Sequence, residues 1–287
     1  MENEQAVNGV NPRWIRPTFA GELPPGRIAT AKKAFTTRRV PFGRLDHDWS
    51  GTTLITGPVR PHSGDLLLAS VARLGHHSKI ELADGRRAQL HEGDEIVVTY
   101  ADRYAPDQFE AEVPKNLRKT QLVASGGIAS TLVSRHESTR RPTDIVPIGL
   151  IGDSAGTPLN ISEFAIRPAP PNRPRPRTVA VIGTSMNSGK TTTAGALILG
   201  FHRGGGKPGG TKVTGTGSGV DYWAMVDAGA YSVADFTDAG MASTYRVPYD
   251  IIEAGLIRLV DHLTNVGCSD IVIEIADNFH ITASVIG

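Results

Sequence analysis

Cysteine is almost absent from this chain: Cys268 stands alone among 287 residues. No internal disulfide can form, and a reducing cytoplasm is the expected home. Charge of one sign is missing too, since 30 Lys and Arg face 29 Asp and Glu. A general binder of nucleic acid or of a membrane surface would want a basic excess, so neither partner is expected. No apolar run approaches the ~20 residues that span a bilayer. The opening MENEQAVNGV is polar and acidic, where a secretory signal needs a basic start and an apolar stretch. The expectation is a soluble, cytoplasmic chain with enough length for one large domain or two ordinary ones.

The chain divides at RPAPPNRPRPR, residues 167–177. Its prolines remove backbone donors and fix φ, which reads as a semi-rigid linker kept solvated by arginine. Residues 1–45 are rich in Pro and Arg without periodicity and are expected as an arm, partly disordered. Residues 46–166 read as β-rich. Asp65 to Leu74 and Glu95 to Tyr100 are strand-like, and Ser78 to Ala83 and Arg86 to Leu90 flank the two-residue hairpin signal Asp84-Gly85. A small antiparallel barrel or sandwich is predicted. After the linker, strands expected at 178–183, 211–216, 231–236 and 270–276 alternate with helices at 189–202 and 249–266. That order predicts an α/β domain with a parallel sheet over 178–287.

The strongest motif is VAVIGTSMNSGKTTTAGALIL, a short apolar strand, a polar loop, Gly-Lys-Thr-Thr and an apolar helix. It is a P-loop, or Walker A, pattern. Backbone N–H groups of such a loop point at phosphate, and the helix N-terminus adds partial positive charge. Gly183, Thr184, Asn187, Ser188, Gly189, Lys190, Thr191 and Thr192 are the candidate nucleotide-binding residues. Lys190 would reach the β- and γ-oxygens and Thr191 would ligate Mg²⁺. In the usual pattern the first glycine stands five positions before the second. Here Thr184 holds that place and Gly183 precedes it.

The spacing Gly-Thr-x-x-x-x-Gly-Lys-Thr resembles the loop of the dethiobiotin synthetase-like branch of P-loop proteins, which includes ATP-dependent ligases and amidotransferase-type synthetases. Ser185 stands where that branch commonly has an acid. Its Lys-Pro-x-x-Ser/Thr-Gly motif is similar to Lys212-Val213-Thr214-Gly215, without the proline. Its Val-Glu-Gly-Ala-Gly-Gly strand end is similar to Ile273-Glu274-Ile275-Ala276-Asp277, without the glycines. The resemblance covers at most residues 178–277. It implies that Lys212 touches the acceptor or the γ-phosphate and that Glu274 holds magnesium, with Asp277 in reserve. Domains of this branch are larger, so the sheet here is completed by the N-terminal half, completed by a partner chain, or truncated. An uncovered sheet would invite association into a homo-oligomer.

Between loop and last strand lies polar, glycine-rich ground holding Asp221, Asp235 and Asp238. These acids could position metal or a substrate carboxyl, Asp221 being taken as a catalytic candidate, or could serve as loop punctuation and helix caps. The Asn/Thr-Lys-x-Asp setting of guanine-specific proteins is missing, which favours ATP. Two other signals carry less. Gly152 to Gly156 matches Gly-x-Ser-x-Gly, but Pro158 follows where a nucleophile elbow needs a helix. His76 and His77 would point to opposite faces of a strand and match no zinc spacing. The sequence thus predicts a Mg-ATP-dependent ligase, synthetase or kinase acting on a small acid, with Lys190, Lys212 and Asp221 carrying the chemistry. The rival readings are a nucleotide-dependent binding or regulatory module and a truncated, non-catalytic P-loop protein.

Overall fold

The structure is a computed structural model and describes residues 19–42, 51–183 and 188–275. It is mixed α/β, with a large, mostly antiparallel sheet followed by a parallel one. The N-terminal strands are β1 (Phe19–Glu22), β2 (Lys32–Lys33), β3 (Thr53–Thr56), β4 (Leu66–Arg73), β5 (Lys79–Glu81), β6 (Arg87–Gln89), β7 (Glu95–Tyr100), β8 (Arg103–Tyr104), β9 (Phe109–Glu112), β10 (Thr120–Ala124), β11 (Ile128–Arg135) and β12 (Thr143–Gly152). All but β5 and β6 join one ten-stranded sheet. Its pairings return on themselves: β12 pairs with β4, β4 with β7, β7 with β11, β11 with β10, and β10 with β12 again. One rung of that ring, β7 with β11, is parallel.

The alternation of side chains on β4 and β7 shows why the ring is stable. Leu66, Leu68 and Val97 enter one apolar cluster, while Leu67, Ala69, Val71, Ile96 and Val98 enter another. Successive strand residues face opposite sides, so both strands are buried on both faces and read as continuous apolar runs. The Asp84-Gly85 hairpin is real but one residue longer than the sequence suggested. Leu82 and Arg86 pair, leaving Ala83, Asp84 and Gly85 as the loop, with Gly85 at φ +83°. A three-residue hairpin closes with glycine in the left-handed region. Within the stretch read as an arm, residues 19–42 carry β1, helix α1 (Pro25–Thr30), β2 and a 3-10 turn at Phe35–Thr37. β1 pairs with β3 and β2 with β7, and Leu23, Ile28 and Phe35 are buried. Burial against the sheet supplies the order that local periodicity lacks.

The C-terminal part runs β13 (Arg177–Val181), α2 (Lys190–Arg203), β14 (Pro208–Lys212), α3 (Gly219–Asp227), β15 (Ser232–Asp235), α4 (Tyr249–Val266) and β16 (Asp270–Glu274). The sheet order is β13-β16-β14-β15 and every pairing is parallel. Helices cover both faces. Ala194, Ile198 and Met225 of α2 and α3 meet Val272 on one side, and Ile252, Leu256, Leu259, Val260 and Leu263 of α4 meet Ile271 and Ile273 on the other. Those α4 positions recur at helical spacing, and each buried aliphatic contributes about 1.5–3 kcal/mol. Ile251, which the same periodicity suggested, lies on the exposed side. Gly267 at φ +100° ends α4 in a left-handed cap.

β14 begins at Pro208 and ends at Lys212, where a strand over 211–216 was expected. Its two glycines are packing residues. A Cβ on Gly209 would come within 2.9 Å of Cys268 Sγ, and one on Gly210 within 2.9 Å of Met225 Sδ. The expected linker, 167–177, has no regular structure up to Pro176 but lies along α4. Arg175 pairs with Asp261 at 2.8 Å, and Asn172 N–H donates to Asn265 Oδ1 at 2.7 Å.

Candidate functional site

Parallel pairing sets four strand ends in one row. Val181 lies beside Glu274, Glu274 beside Lys212, and Lys212 beside Asp235. Neighbouring strands are about 4.8 Å apart, and the carboxyl edge of such a sheet is where ligands sit. The polar loop leaves this edge after β13 and re-enters at α2. Gly189 caps α2 at φ +87°, a conformation that a side chain would strain. A Cβ on Gly183 would collide with Ser188 Oγ and come within 2.9 Å of Lys190 Cγ. The two described ends of the loop thus lie close together at Gly183. Ser188 Oγ accepts from Lys190 Nζ at 3.4 Å. Thr192 is exposed in the first turn of α2. Thr184 and Asn187 lie outside the described residues, as does Asp277.

Thr191, Lys212, Asp221 and Glu274 come together at the start of α2. The Thr191 hydroxyl lies 3.0 Å from both Asp221 Oδ1 and Glu274 Oε1, and its single proton serves one of them at a time. Lys212 Nζ donates to Asp221 Oδ2 and, at 3.2 Å, to Glu274 Oε1. Burial works against the Lys212 charge, but Asp221 and Glu274 outweigh it and its pKa is raised. Glu274 is 1 % exposed, so it is no solvated strand-end acid, and its Oε2 is buried with no hydrogen-bond partner among the described residues. Two carboxylates and a hydroxyl around one cation are the hard oxygen donors that magnesium takes. No group of three His, Cys, Asp or Glu side chains suited to a metal gathers among the described residues.

Asp221 reaches this site because α3 presents it. The segment read as glycine-rich loop contains α3, with Ser218 as N-cap and Asp221 in the first turn. Its N-terminus is held by the other half of the chain. Glu81 of β5, buried, accepts from Gly219 N–H at 2.9 Å and from Ser218 Oγ at 3.1 Å. The remaining acids are occupied from the same direction. Arg38 pairs with Asp235 at 2.9 Å and with Asp238, while Phe35 and Tyr222 flank its guanidinium at 4.1 and 4.9 Å from their ring centroids. Nothing local in the sequence pointed to Arg38 or Glu81. Their partners stand well over a hundred residues away.

The discounted motifs are structural. Asp153 Oδ1 accepts from Ala155 and Thr157 N–H at 2.9 and 2.8 Å, so Gly152 to Gly156 is a turn closing on itself. His76 and His77 lie off any strand, and instead of pointing apart their rings meet each other and Phe109, with centroids 4.9 to 5.7 Å apart. Burial, with Arg103 nearby, depresses the His77 pKa to about 3. No described helix is long and apolar enough to cross a membrane.

No protein-family model and no curated protein matches the chain. Among solved structures, the signal recognition particle 54 kDa protein of Aeropyrum pernix K1, in complex with GDP, is similar over 40 % of this chain at 22 % identity, with a TM-score of 0.28. This chain covers 24 % of that protein's length, and a likeness of that extent decides neither fold nor function.

Proposed function

We propose that the C-terminal part binds a nucleoside triphosphate with magnesium, ATP by the missing guanine motif, and that the chain is an ATP-dependent ligase, synthetase or kinase acting on a small acid. The observation that carries this reading is the convergence of Thr191, Lys212, Asp221 and Glu274 on the first turn of α2, at the carboxyl edge of a parallel sheet. The N-terminus of α2, with its partial positive charge, favours a phosphate. Lys190, one position past the cap, would stabilise the β- and γ-oxygens. Thr191 and Glu274 would hold the metal, which when bound neutralises charge on the phosphates. Lys212 remains an ammonium at neutral pH and would donate to the transferring phosphoryl group or to the acceptor, with Asp221 keeping it in place. Positioning and charge neutralisation suffice for such chemistry.

Calorimetric titration with Mg-ATP and Mg-GTP, on the parent and on Lys190→Ala, tests the site. Saturable binding of ATP that Lys190→Ala abolishes is expected, together with turnover that Lys212→Ala suppresses. Binding that survives Lys190→Ala would overturn the assignment. A second reading is a nucleotide-dependent binding module, favoured by the Glu81 and Arg38 contacts that join the β-rich part to α3 and β15. Nucleotide binding without turnover, with a partner captured only in its presence, would select it.

A further inference from the structure

A cavity of about 460 Å³ opens where the N-terminal turn meets the carboxyl edge of the parallel sheet. Lys33, Arg38 and Arg39 lie on its wall with a single acid, Asp238, and Val40 and Phe42 form an apolar side. Among the described residues, two of the three cations have no close carboxylate partner. Lys33 Nζ donates to the Ala29 carbonyl at 2.8 Å and has no carboxylate partner among the described residues. Arg39 donates to the Phe164 carbonyl at 2.8 Å and stands 3.8 Å from Asp238. Arg38 is the fixed member, clamped by Asp235 and Asp238.

The cavity is close to the nucleotide edge. Asp235, which holds Arg38, is the register neighbour of Lys212, one strand or about 5 Å away. Asp221, which holds Lys212, is followed in the chain by Tyr222, which lies against Arg38. Arg38 thus joins the cavity wall to the strand end beside Lys212.

We propose that this cavity binds a small carboxylic acid, its carboxylate on Lys33 and Arg39 and its hydrocarbon part against Val40 and Phe42. A guanidinium fork matches the two oxygens of a carboxylate. The Asp238 carboxylate on the wall disfavours the denser charge of a phosphate. This inference deepens the proposed function by locating its acid substrate, and rests on that reading only for the role of the bound molecule.

The test is a footprint of Lys33 read by mass spectrometry. The intact chain is acetylated without nucleotide, in the presence of hexanoate, glutarate or inorganic phosphate, with exposed Lys79 as reference. Acetylation of Lys33 should slow about tenfold when hexanoate or glutarate is present at ten times its Kd. Lys79 should not respond, Arg39→Ala should remove the protection, and Lys190→Ala should leave it intact. Three results would overturn the proposal: no protection by either carboxylate, protection by phosphate alone, or loss of protection in Lys190→Ala, which would place the anion on the phosphate loop. Failure of ATP to bind would sink the nucleotide reading and leave this footprint standing.

Discussion

Replacing Glu81 by alanine should loosen the helix that delivers Asp221, although Glu81 belongs to the separate β5–β6 hairpin of the N-terminal half. Glu81 is 2 % exposed, and one of its oxygens accepts from Gly219 N–H at 2.9 Å and Ser218 Oγ at 3.1 Å. The substitution strands the Gly219 N–H at a buried position, while the serine hydroxyl can turn to another acceptor. A charge-assisted hydrogen bond to a buried donor is worth about 1.5–3 kcal/mol, and a carboxylate at a helix N-terminus adds about 0.5–1 kcal/mol. Together the loss is about 2–4 kcal/mol. Glu81→Gln keeps an acceptor and the side-chain volume, so about 1 kcal/mol is expected for it, mainly the lost charge. Urea denaturation gives the total, and hydrogen exchange locates it. Amides of α3 should exchange about 30- to 1,000-fold faster in Glu81→Ala, with β4 and β7 changing less. A destabilisation below about 0.5 kcal/mol, the scatter of ordinary surface changes, would refute the reasoning. So would faster exchange spread evenly over both sheets.

Lys212→Met should destabilise by about 3 kcal/mol, because Asp221 and Glu274 lose the cation between them, and a denaturation midpoint unchanged from the parent would contradict this. The raised Lys212 pKa makes its contribution full below the ordinary lysine value of 10.5. It is lost only as pH rises through the still higher folded-state value, so the gap between parent and Lys212→Met should be constant from pH 7 to 9. His77 has the opposite sign. Its folded pKa of about 3 lies below the ordinary 6.5, so the unfolded chain binds the extra proton between those values and stability falls as pH drops through that window. His77→Gln should flatten the fall, measured as urea midpoints at pH 7 and pH 5. Gly189→Ala forces a side chain into φ +87° and should cost about 1–2 kcal/mol while weakening nucleotide binding in the same calorimetric titration. Gly183→Ala should spare stability more than binding, since its Cβ meets only Ser188 and Lys190 side chains.

How legible this was in the sequence depended on how local the physics is. The α4 stripe, the apolar β16 and the glycine-lysine-threonine entry to α2 are patterns within one element, and each stands where its pattern indicated, except that Ile251 is exposed and β16 ends at Glu274. The β14 boundary was misplaced because Pro208, Gly209 and Gly210 look like breakers. They are strand residues paired with β16, and Cys268 and Met225 leave little room for a Cβ at Gly209 and Gly210. Helix α3 was hidden for a similar reason, its Ser218 cap lying among Gly215, Gly217 and Gly219. In the site, Thr191 could be nominated from motif spacing, Lys212 and Glu274 through the family resemblance, and Asp221 only as one acid among several. Glu81 and Arg38 were invisible, since an ion pair spanning 197 residues in the chain leaves no periodic trace.

The closed ring of strands uses only residues 66–152, and this sets an order of assembly. On a ribosome the ring can close before any residue of the parallel sheet has emerged. Arg38, which the finished molecule pairs with carboxylates, and Glu81, which it hydrogen-bonds, then wait in water until residues 218–238 emerge. Contacts of such long sequence separation form late because loop closure must be met first. The carboxyl edge of the parallel sheet is thus the last part of the molecule to be fastened, and its fastening comes from residues made long before it.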